Sequence, residues 1–364
     1  MTSFSPLDLF PPTASTSRAP LAVPASSIAL FGPLPTSSLI HLALNHLRGE
    51  GGQTARTEGI SEKARGKQRE VDDEESFHDD EDDFPPPPRS TGKERRVLIL
   101  TPDASVLREE LSKEGDVSLF GSRRSSETAR LLDLVDIRTL PTFAHLTYFL
   151  STCYTPSTPS AQDAHAAFLA TKPRTWVDPS YLPYDPTMVI FHAPSDYLEE
   201  PANEDAGLEA YGSLLGLFVS TFLSLTFPTP FLVLFDPLAS AHSLPGLPRH
   251  LHPTKQKKRP FEGEEGERDE GRQEGEDDSD RVPLRRIAER FFDWVGEAQE
   301  VFSSGKDYNA PSRAHYVLSL EASPFSLSRS ALQQDKVEVE FAVVEVGDND
   351  AEGEEGGVRI EVVR

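Results

Sequence analysis

The chain has 364 residues, enough for one large domain or two small ones, and its formal net charge is −24. Its only cysteine, Cys153, excludes an internal disulfide and a cysteine-rich zinc site, and it fits a reducing compartment. No apolar run reaches the length of about 18 residues that a membrane span requires, and the most apolar region, residues 211–227, predicts a buried helix. The N-terminus lacks a basic start followed by an apolar core, so no secretory signal is expected.

The negative charge is concentrated in three acidic tracts, residues 72–83, 262–280 and 348–355. These tracts account for nearly all of the net charge. We therefore expect the folded body to be close to neutral and not to repel nucleic acid by its own field.

The predicted elements begin after an N-terminal arm. Pro, Ser and Thr dominate residues 1–25, which predicts disorder over that range. A short apolar strand over residues 28–31 and an amphipathic helix over residues 37–47 follow. Residues 49–94 contain few apolar side chains, and burying so little apolar surface would not offset the loss of chain entropy. A disordered insert is predicted there.

Order resumes at residue 97. The continuous apolar run over residues 97–100 is typical of a buried parallel strand, and Asp103 is placed to cap the short helix after it. Further strands are predicted near residues 135–138, at 188–192 and at 231–235, and helices are predicted over residues 141–154 and 207–225.

A second charged and disordered insert is predicted over about residues 245–281. Residues 283–302 then have the apolar spacing of an amphipathic helix, whose apolar face would contain Ile287, Phe291, Trp294, Val295, Ala298 and Phe302. Late strands are predicted over residues 314–323 and 336–346, and residues 357–363 would pair with the second of them. This order predicts an α/β fold with a mostly parallel sheet and antiparallel C-terminal strands.

The turn after the first strand has the frame of a phosphate-binding loop without its usual chemistry. An intact loop reads G-x-x-x-x-G-K-[ST], and its backbone N–H groups, lysine and hydroxyl bind phosphates and magnesium. Here the window reads GPLPTSSL: Gly32 remains, Ser38 stands at the lysine position and Leu39 at the hydroxyl position. Pro33 and Pro35 also remove two N–H donors.

Two interpretations of this turn stay open. Ser37 and Ser38 would allow an anion to bind at the start of the helix. In the other interpretation the turn is structural, and Thr36 or Ser37 caps the helix.

The partner site of a phosphate loop is an apolar strand that ends in an aspartate, which positions magnesium. The strand over residues 188–191 ends in His192 instead, and Asp196 lies four residues further on. Asp196 is either a displaced acid or a residue that caps or turns the next segment, and His192 is either a base or a solvated strand end. Asp236 at the end of the next strand is likewise either a functional acid or an ordinary strand-end residue. No Ser/His/Asp or paired-carboxylate spacing indicates a catalytic site, and no metal site is predicted.

A basic stretch over residues 249–259 precedes the second acidic tract. It includes Lys255, Lys257, Lys258 and Arg259. Three interpretations fit: a nuclear localisation signal, a loop that contacts nucleic acid, and a solvated run that balances the adjacent acids.

Four segments, taken in order, resemble the core of RecA-type recombinases. They are residues 28–44 with the phosphate-loop frame, 95–102 with the second strand, 135–152 with a strand, Pro141 and a helix, and 186–200 with the fourth strand and an acid-Tyr-Leu turn. The chain resembles most closely the small recombinase paralogue of the Shu complex, which pairs with a SWIM-type zinc-finger protein.

The resemblance implies a single RecA-like P-loop domain over residues 26–364 in a nuclear DNA-repair protein. Such a protein would support recombinase filaments on single-stranded DNA with a SWIM-domain partner. The missing phosphate-loop groups imply an adaptor that is not an enzyme and needs no cofactor, with ATP as the one candidate ligand. Three alternatives remain: a scaffold subunit of an Elongator-type complex acting on tRNA, an unconventional NTPase, and a scaffold with no nucleic-acid role.

Overall fold

A computed structural model describes twelve segments of the chain: residues 3–11, 23–48, 95–120, 125–156, 178–198, 207–225, 229–237, 243–245, 281–301, 313–326, 335–346 and 357–363. The strands are β1 (Ser3–Phe4), β2 (Val23–Pro24), β3 (Ser27–Phe31), β4 (Val97–Thr101), β5 (Val135–Thr139), β6 (Met188–His192), β7 (Phe231–Asp236), β8 (Ser243–Pro245), β9 (Arg281–Pro283), β10 (Trp294–Val301), β11 (Arg313–Ala322), β12 (Lys336–Val346) and β13 (Gly357–Val362). The helices are α1 (Thr36–Arg48), α2 (Ala104–Glu114), α3 (Val117–Phe120), α4 (Ser126–Leu132), α5 (Phe143–Thr152), α6 (Gly207–Leu225) and α7 (Leu284–Ala288), with 3-10 turns at Pro6–Leu9 and Pro194–Leu198.

A nine-stranded sheet has the order β13-β12-β11-β10-β3-β7-β6-β4-β5. The strands from β10 to β5 run parallel, whereas β11, β12 and β13 are antiparallel to their neighbours. The predicted α/β fold, with a mostly parallel sheet and antiparallel C-terminal strands, is therefore confirmed.

Helices cover both faces of the parallel part, and its inner strands β3, β4, β6 and β7 are buried on both sides, whereas the edge strand β5 is only partly buried. In β3, Ile28 and Leu30 pack into the core that contains α1, α2, α3 and α4, and this side is called the α1 face. Ala29 and Phe31 pack into the core that contains α5, α6 and α7, and this side is called the α6 face. Burial on both faces explains the continuous apolar runs that predicted these strands.

The predicted helix over residues 283–302 is wrong. Helix α7 ends at Ala288, and residues 294–301 form β10, which pairs with β3 on one side and β11 on the other. Trp294 and Ala298 lie on the α1 face while Val295 lies on the α6 face, so a strand buried on both sides imitates helical spacing. Gly296 allows the neighbouring strands to pack closely: a Cβ there would lie 2.7 Å from a Leu320 methyl carbon.

The predicted disorder of residues 1–25 is wrong for residues 3–11 and 23–25, where β1 pairs with β2. Phe10 is buried and its ring packs against Phe341 at a centroid distance of 4.9 Å. The Asn45 side chain of α1 donates to the carbonyl oxygens of Asp8 (2.9 Å) and Phe10 (3.1 Å). The composition predicted disorder because this range is dominated by Pro, Ser and Thr. Three apolar side chains nevertheless bury themselves in the core that contains α1: Phe4, Leu9 and Phe10.

Two short strands flank the second predicted insert, residues 245–281, and pair with each other. Ser243–Pro245 and Arg281–Pro283 pair as the antiparallel strands β8 and β9, and α7 follows directly. Residues 246–280 and the first insert, residues 49–94, lie outside the described residues. No helix within the described ranges has the length and apolar character needed to cross a bilayer.

Candidate functional site

The carboxyl ends of four neighbouring parallel strands form the candidate site. Phe31 at the end of β3 pairs with Asp236 at the end of β7, and His192 at the end of β6 pairs with Phe235. Helix α1 leaves β3 on the α1 face, whereas β7 is followed by elements on the α6 face. Ligands of open α/β sheets bind where the connections diverge in this way. The sheet therefore places the phosphate-loop frame where a ligand site is expected.

The start of α1 is occupied by a carboxylate of the chain itself. The backbone N–H groups of Thr36 and Ser37 donate to the two carboxylate oxygens of Glu114, at 2.5 and 2.8 Å. The Thr36 hydroxyl donates to Glu110 at 3.1 Å. Free N–H groups and the helix dipole make this position attractive to anions, and Glu114 satisfies both.

Neither earlier interpretation of this turn fits completely. Thr36 and Ser37 lie at the helix start, but neither caps it through its side chain, because Glu114 takes the N–H groups. The hydroxyls of Ser37 and Ser38 are buried and have no hydrogen-bond partner among the described residues, so they do not reach the bound carboxylate. The anion at the loop is intramolecular.

Helix α2 places Glu110 and Glu114 at the start of α1. Asp103 caps its N-terminus as predicted, and Gly115 ends it in the left-handed conformation with φ +53°. The last turn of α2 then lies against the first turn of α1. Glu110, Glu114 and the next acid in the chain, Asp116, are called the carboxylate clamp.

Asp116 extends the clamp one turn further along α1. Its carboxylate lies 2.9 Å from Nε2 of the buried His41 and accepts from the Ser118 hydroxyl at 2.6 Å. Burial opposes its ionisation, but the hydrogen bonds from His41 and Ser118 outweigh this effect and lower the pKa of Asp116. Asp116 and Ser118 both approach the same ring nitrogen, whereas a catalytic triad uses both nitrogens, so this cluster is not a triad.

Gly32 is required by the fold. Its φ of +90° lies in the region that favours glycine, and a Cβ at this position would lie 2.2 Å from the carbonyl oxygen of Ala298 in β10. The Leu34 N–H donates to the Gly32 carbonyl at 2.7 Å, which closes a tight turn. The surviving glycine is thus explained by close packing against β10 without any phosphate.

His192 is a buried, neutral residue on the α1 face. Its Nδ1 lies 3.2 Å from the Thr101 hydroxyl, and its ring stacks on Phe235 at 6.0 Å. Its Nε2 has no hydrogen-bond partner in the described part of the chain. Burial lowers the pKa of His192 to about 4, so the ring carries no charge at neutral pH. Its burial does not fit the interpretation as a solvated strand end.

The buried acid at this edge is Asp236, and the predicted Asp196 lies in the 3-10 turn after β6. The carboxylate of Asp236 accepts from the Ser195 hydroxyl at 2.7 Å, the Ser195 N–H at 3.2 Å and the Tyr211 hydroxyl at 3.3 Å. Burial raises the pKa of Asp236 to about 6. Because its partners belong to the α6 face, Asp236 points away from the start of α1 and tethers the 3-10 turn to α6.

The described part of the chain is more acidic than the near-neutral folded body that was predicted. Acidic side chains outnumber Lys and Arg in the described ranges, so the prediction of a near-neutral body is wrong for that part of the chain. The basic residues Lys255, Lys257, Lys258 and Arg259 lie outside it, and their three interpretations remain predictions.

Sequence reasoning missed the carboxylate clamp. The only available signal is local: Glu110 and Glu114 are four residues apart and so share one face of α2, directly before a helix-ending glycine. Comparison with protein-family models and with curated proteins gives no match to this chain.

Proposed function

We propose that this protein is a non-catalytic RecA-like adaptor of homologous recombination that works in the nucleus. It supports recombinase filaments on single-stranded DNA together with a SWIM-type zinc-finger partner. The observation that carries the non-catalytic part is the Glu114 carboxylate on the N–H groups of Thr36 and Ser37. The four resembling segments support the RecA-like part, because they supply β3, β4, β5 and β6 of one parallel sheet.

Two features of this turn oppose nucleotide binding: the carboxylates of the clamp would repel the phosphates, and the lysine that would neutralise them is absent. Its phosphate would have to displace Glu114 while Glu110 stays nearby, and two unit charges about 4 Å apart repel by about 4 kcal/mol at a protein surface. The lysine that would neutralise the terminal phosphates is replaced by the buried Ser38. ATP is therefore not a cofactor of the adaptor.

The nucleotide half of the proposal is tested on the full chain with three proteins, wild type, Glu114→Gln and Glu109→Gln, and Ser38→Ala is added if wild type hydrolyses ATP. Glu109 is the matched control, because it lies on α2 and is largely exposed. All three are expected to show no ATP turnover, and wild type no shift in melting temperature with ATP. Robust turnover that is lost in Ser38→Ala would overturn this half in favour of an unconventional NTPase.

The partner half is tested by purification of the tagged full chain from nuclear extract. A SWIM-domain protein is expected among the recovered proteins, and the complex is expected to bind single-stranded DNA weakly and with a strong salt dependence. Replacing Lys255, Lys257, Lys258 and Arg259 together with serine should weaken that binding. A hexameric ring that prefers tRNA would instead favour the Elongator-type scaffold, and absence of any nucleic-acid signal would remove the DNA role.

A further inference from the structure

A surface cleft lies at the amino-terminal edge of the sheet, at the other end of β3 from the carboxylate clamp. Ser26 directly precedes β3 and Asp293 directly precedes β10, and these two strands are parallel. The cleft has a volume of about 280 Å³ and is called the Phe325 cleft; its walls include Ser26, Arg290, Phe291, Asp293, Phe325 and Ser326. Pockets that enclose a whole small ligand have volumes of about 300–1,000 Å³, so this cleft accommodates one ring system with the rest of the ligand outside.

An ordered turn presents Phe325 to solvent. The Ser326 N–H donates to the Ser323 carbonyl at 3.2 Å, and Pro324 occupies the second position of this turn, where its fixed φ is favourable. The Phe325 N–H also donates to the Ser323 hydroxyl at 3.1 Å. Although these bonds fix its backbone, the Phe325 side chain is 62% exposed. An exposed aromatic ring on an ordered turn loses little conformational entropy on binding, which favours it as a ligand contact.

The same turn is fastened to the segment between α7 and β10. The Ser323 N–H donates to the Asp293 carbonyl at 2.8 Å, and the Ser323 hydroxyl donates to the Glu289 carbonyl. The Ser326 hydroxyl donates to the Asp293 carboxylate at 3.0 Å. The backbone N–H and the hydroxyl of Ser26 donate to the same carboxylate at 2.9 and 2.6 Å. The cleft is therefore held from both sides, and the Asp293 carboxylate is committed to three hydrogen bonds within the chain.

Two arginines at the cleft carry charges that no acid within the described ranges neutralises by an ion pair. Arg290 lines the cleft, Arg286 lies four residues earlier in α7, and both side chains are exposed. The other acid of this segment, Glu289, lies 3.6 Å from the Arg285 guanidinium and is paired with it. Because the chain as a whole is strongly acidic, two unpaired guanidinium groups beside an exposed ring indicate a ligand that carries negative charge.

Single-stranded nucleic acid carries both groups that this surface can contact. Each nucleotide offers a planar base and a phosphate, and proteins bind such strands through aromatic stacking and through cations along the backbone. Arginine is suited to phosphate because its planar fork donates two parallel hydrogen bonds. A peptide would need an aromatic residue beside an acid at one place in its sequence, whereas every nucleotide meets both requirements. The cleft therefore fits a nucleotide of a single strand better than a peptide.

We infer that the Phe325 cleft binds one nucleotide of single-stranded DNA, with the base stacked on Phe325 and the backbone phosphates at Arg290 and Arg286. The inference rests on the DNA half of the proposed function and adds a contact site separate from the basic stretch over residues 249–259. The carboxylate clamp opposes this contact little, because the length of β3, about 16 Å, separates them and exceeds the Debye length of about 8 Å at physiological salt.

Fluorescence anisotropy of the full chain with a labelled oligothymidylate, over a series of salt concentrations, tests the inference. Phe325→Leu keeps an apolar side chain but removes the ring, so it should weaken binding about fivefold or more. Phe325→Trp keeps a stacking surface and should bind at least as tightly as wild type, and the oligothymidylate should quench its added fluorescence. Arg290→Ala should weaken binding and lower the slope of log K against log salt by about one.

Two matched variants control for general effects of such changes. Phe120→Leu removes a ring that is 51% exposed on α3, and Arg108→Ala removes an exposed arginine of α2. Both positions lie outside the Phe325 cleft, so both variants should bind the oligothymidylate as wild type does. The positions changed within the cleft are exposed as well, so all of these variants should keep the melting temperature of wild type.

Three outcomes would overturn the inference. The first is wild-type binding that Phe325→Leu or Arg290→Ala leaves unchanged, or that the two control variants weaken equally; the DNA role of the proposed function would survive this outcome. The second is no binding of wild type, alone or with the partner recovered from nuclear extract, and here the DNA role fails as well. The third is a partner protein that Phe325→Leu releases while DNA binding is unchanged, which would assign the cleft to protein docking.

Discussion

Replacing Asp236 with asparagine is expected to change how the free energy of unfolding depends on pH. Asp236 is fully buried, and its folded pKa of about 6 lies above the ordinary value of 3.8. The folded state therefore binds more protons than the unfolded state between these values, so Asp236 makes the wild type less stable as pH rises through this window. A difference of about two pKa units corresponds to about 3 kcal/mol.

Asparagine removes this titration and keeps an oxygen that accepts from Ser195. At pH 4 both side chains are uncharged, and the variant is expected to be slightly less stable because its amide lacks a partner. At pH 7 the wild type carries the full cost of the buried charge. The free energy of unfolding of Asp236→Asn, relative to wild type, is thus expected to rise by about 2 kcal/mol from pH 4.5 to pH 7.5.

Two histidines act in the opposite direction and do not affect this comparison. Burial lowers the pKa values of His192 and His46 from 6.5 to about 4. Their contribution to stability is present above pH 6.5 and is lost as pH falls toward 4, because the unfolded state then binds the extra protons. In wild type Asp236 offsets part of this loss, so the variant is expected to show the steeper decline on acidification.

Urea unfolding of the full chain at pH 4.5, 5.5, 6.5 and 7.5, values set about one unit apart across this window, measures both curves. Glu109→Gln serves as the control, since Glu109 is exposed and its replacement should leave the pH profile unchanged. A wild-type-minus-variant difference that stays constant over this range, within about 0.5 kcal/mol, would refute the account of Asp236 as a buried acid held above its ordinary pKa.

Three further substitutions test the structural roles assigned above. Glu114→Ala removes the acceptor of two N–H groups and should lower the free energy of unfolding by about 1–2 kcal/mol in urea, whereas Glu109→Ala should change it by less than about 0.5 kcal/mol. Gly32→Ala should cost about 2–4 kcal/mol in thermal unfolding, since its Cβ meets the Ala298 carbonyl at a positive φ; a neutral effect would contradict this packing. Phe10→Ala should cost about 3–5 kcal/mol, as for a core aromatic, and an unchanged stability would restore the prediction of a disordered arm.

Most of the parallel sheet could be predicted because its strands are continuous apolar runs. Predicted strand bounds for β3, β4, β6 and β7 agree with the structure within one residue, and the pairing of the last two strands is confirmed. Strand β10 could not be predicted, because its position between β3 and β11 is decided by pairing with distant segments. Trp294 and Ala298 are four residues apart, which matches both a helix and a strand.

Only the strand–turn–helix arrangement of the candidate site could be predicted from the sequence. Gly32 and the start of α1 follow from the local sequence, but Glu114 lies 77 residues from Ser37, and no local pattern links them. The face of the sheet toward which the Asp236 side chain points could not be predicted either. A strand buried on both faces shows no polar alternation, so the sequence of β7 does not reveal which face its last residue joins.

Under the proposed function, the carboxylate clamp also separates the stability of this fold from the supply of nucleotide. A protein that folds around ATP gains stability in proportion to the logarithm of ligand concentration, and it loses that stability when the ligand becomes scarce. Here the anion is covalently part of the chain, and its effective concentration at α1 is fixed by the length and packing of α2. An adaptor of the proposed kind therefore keeps the same loop shape whatever the energy state of the cell.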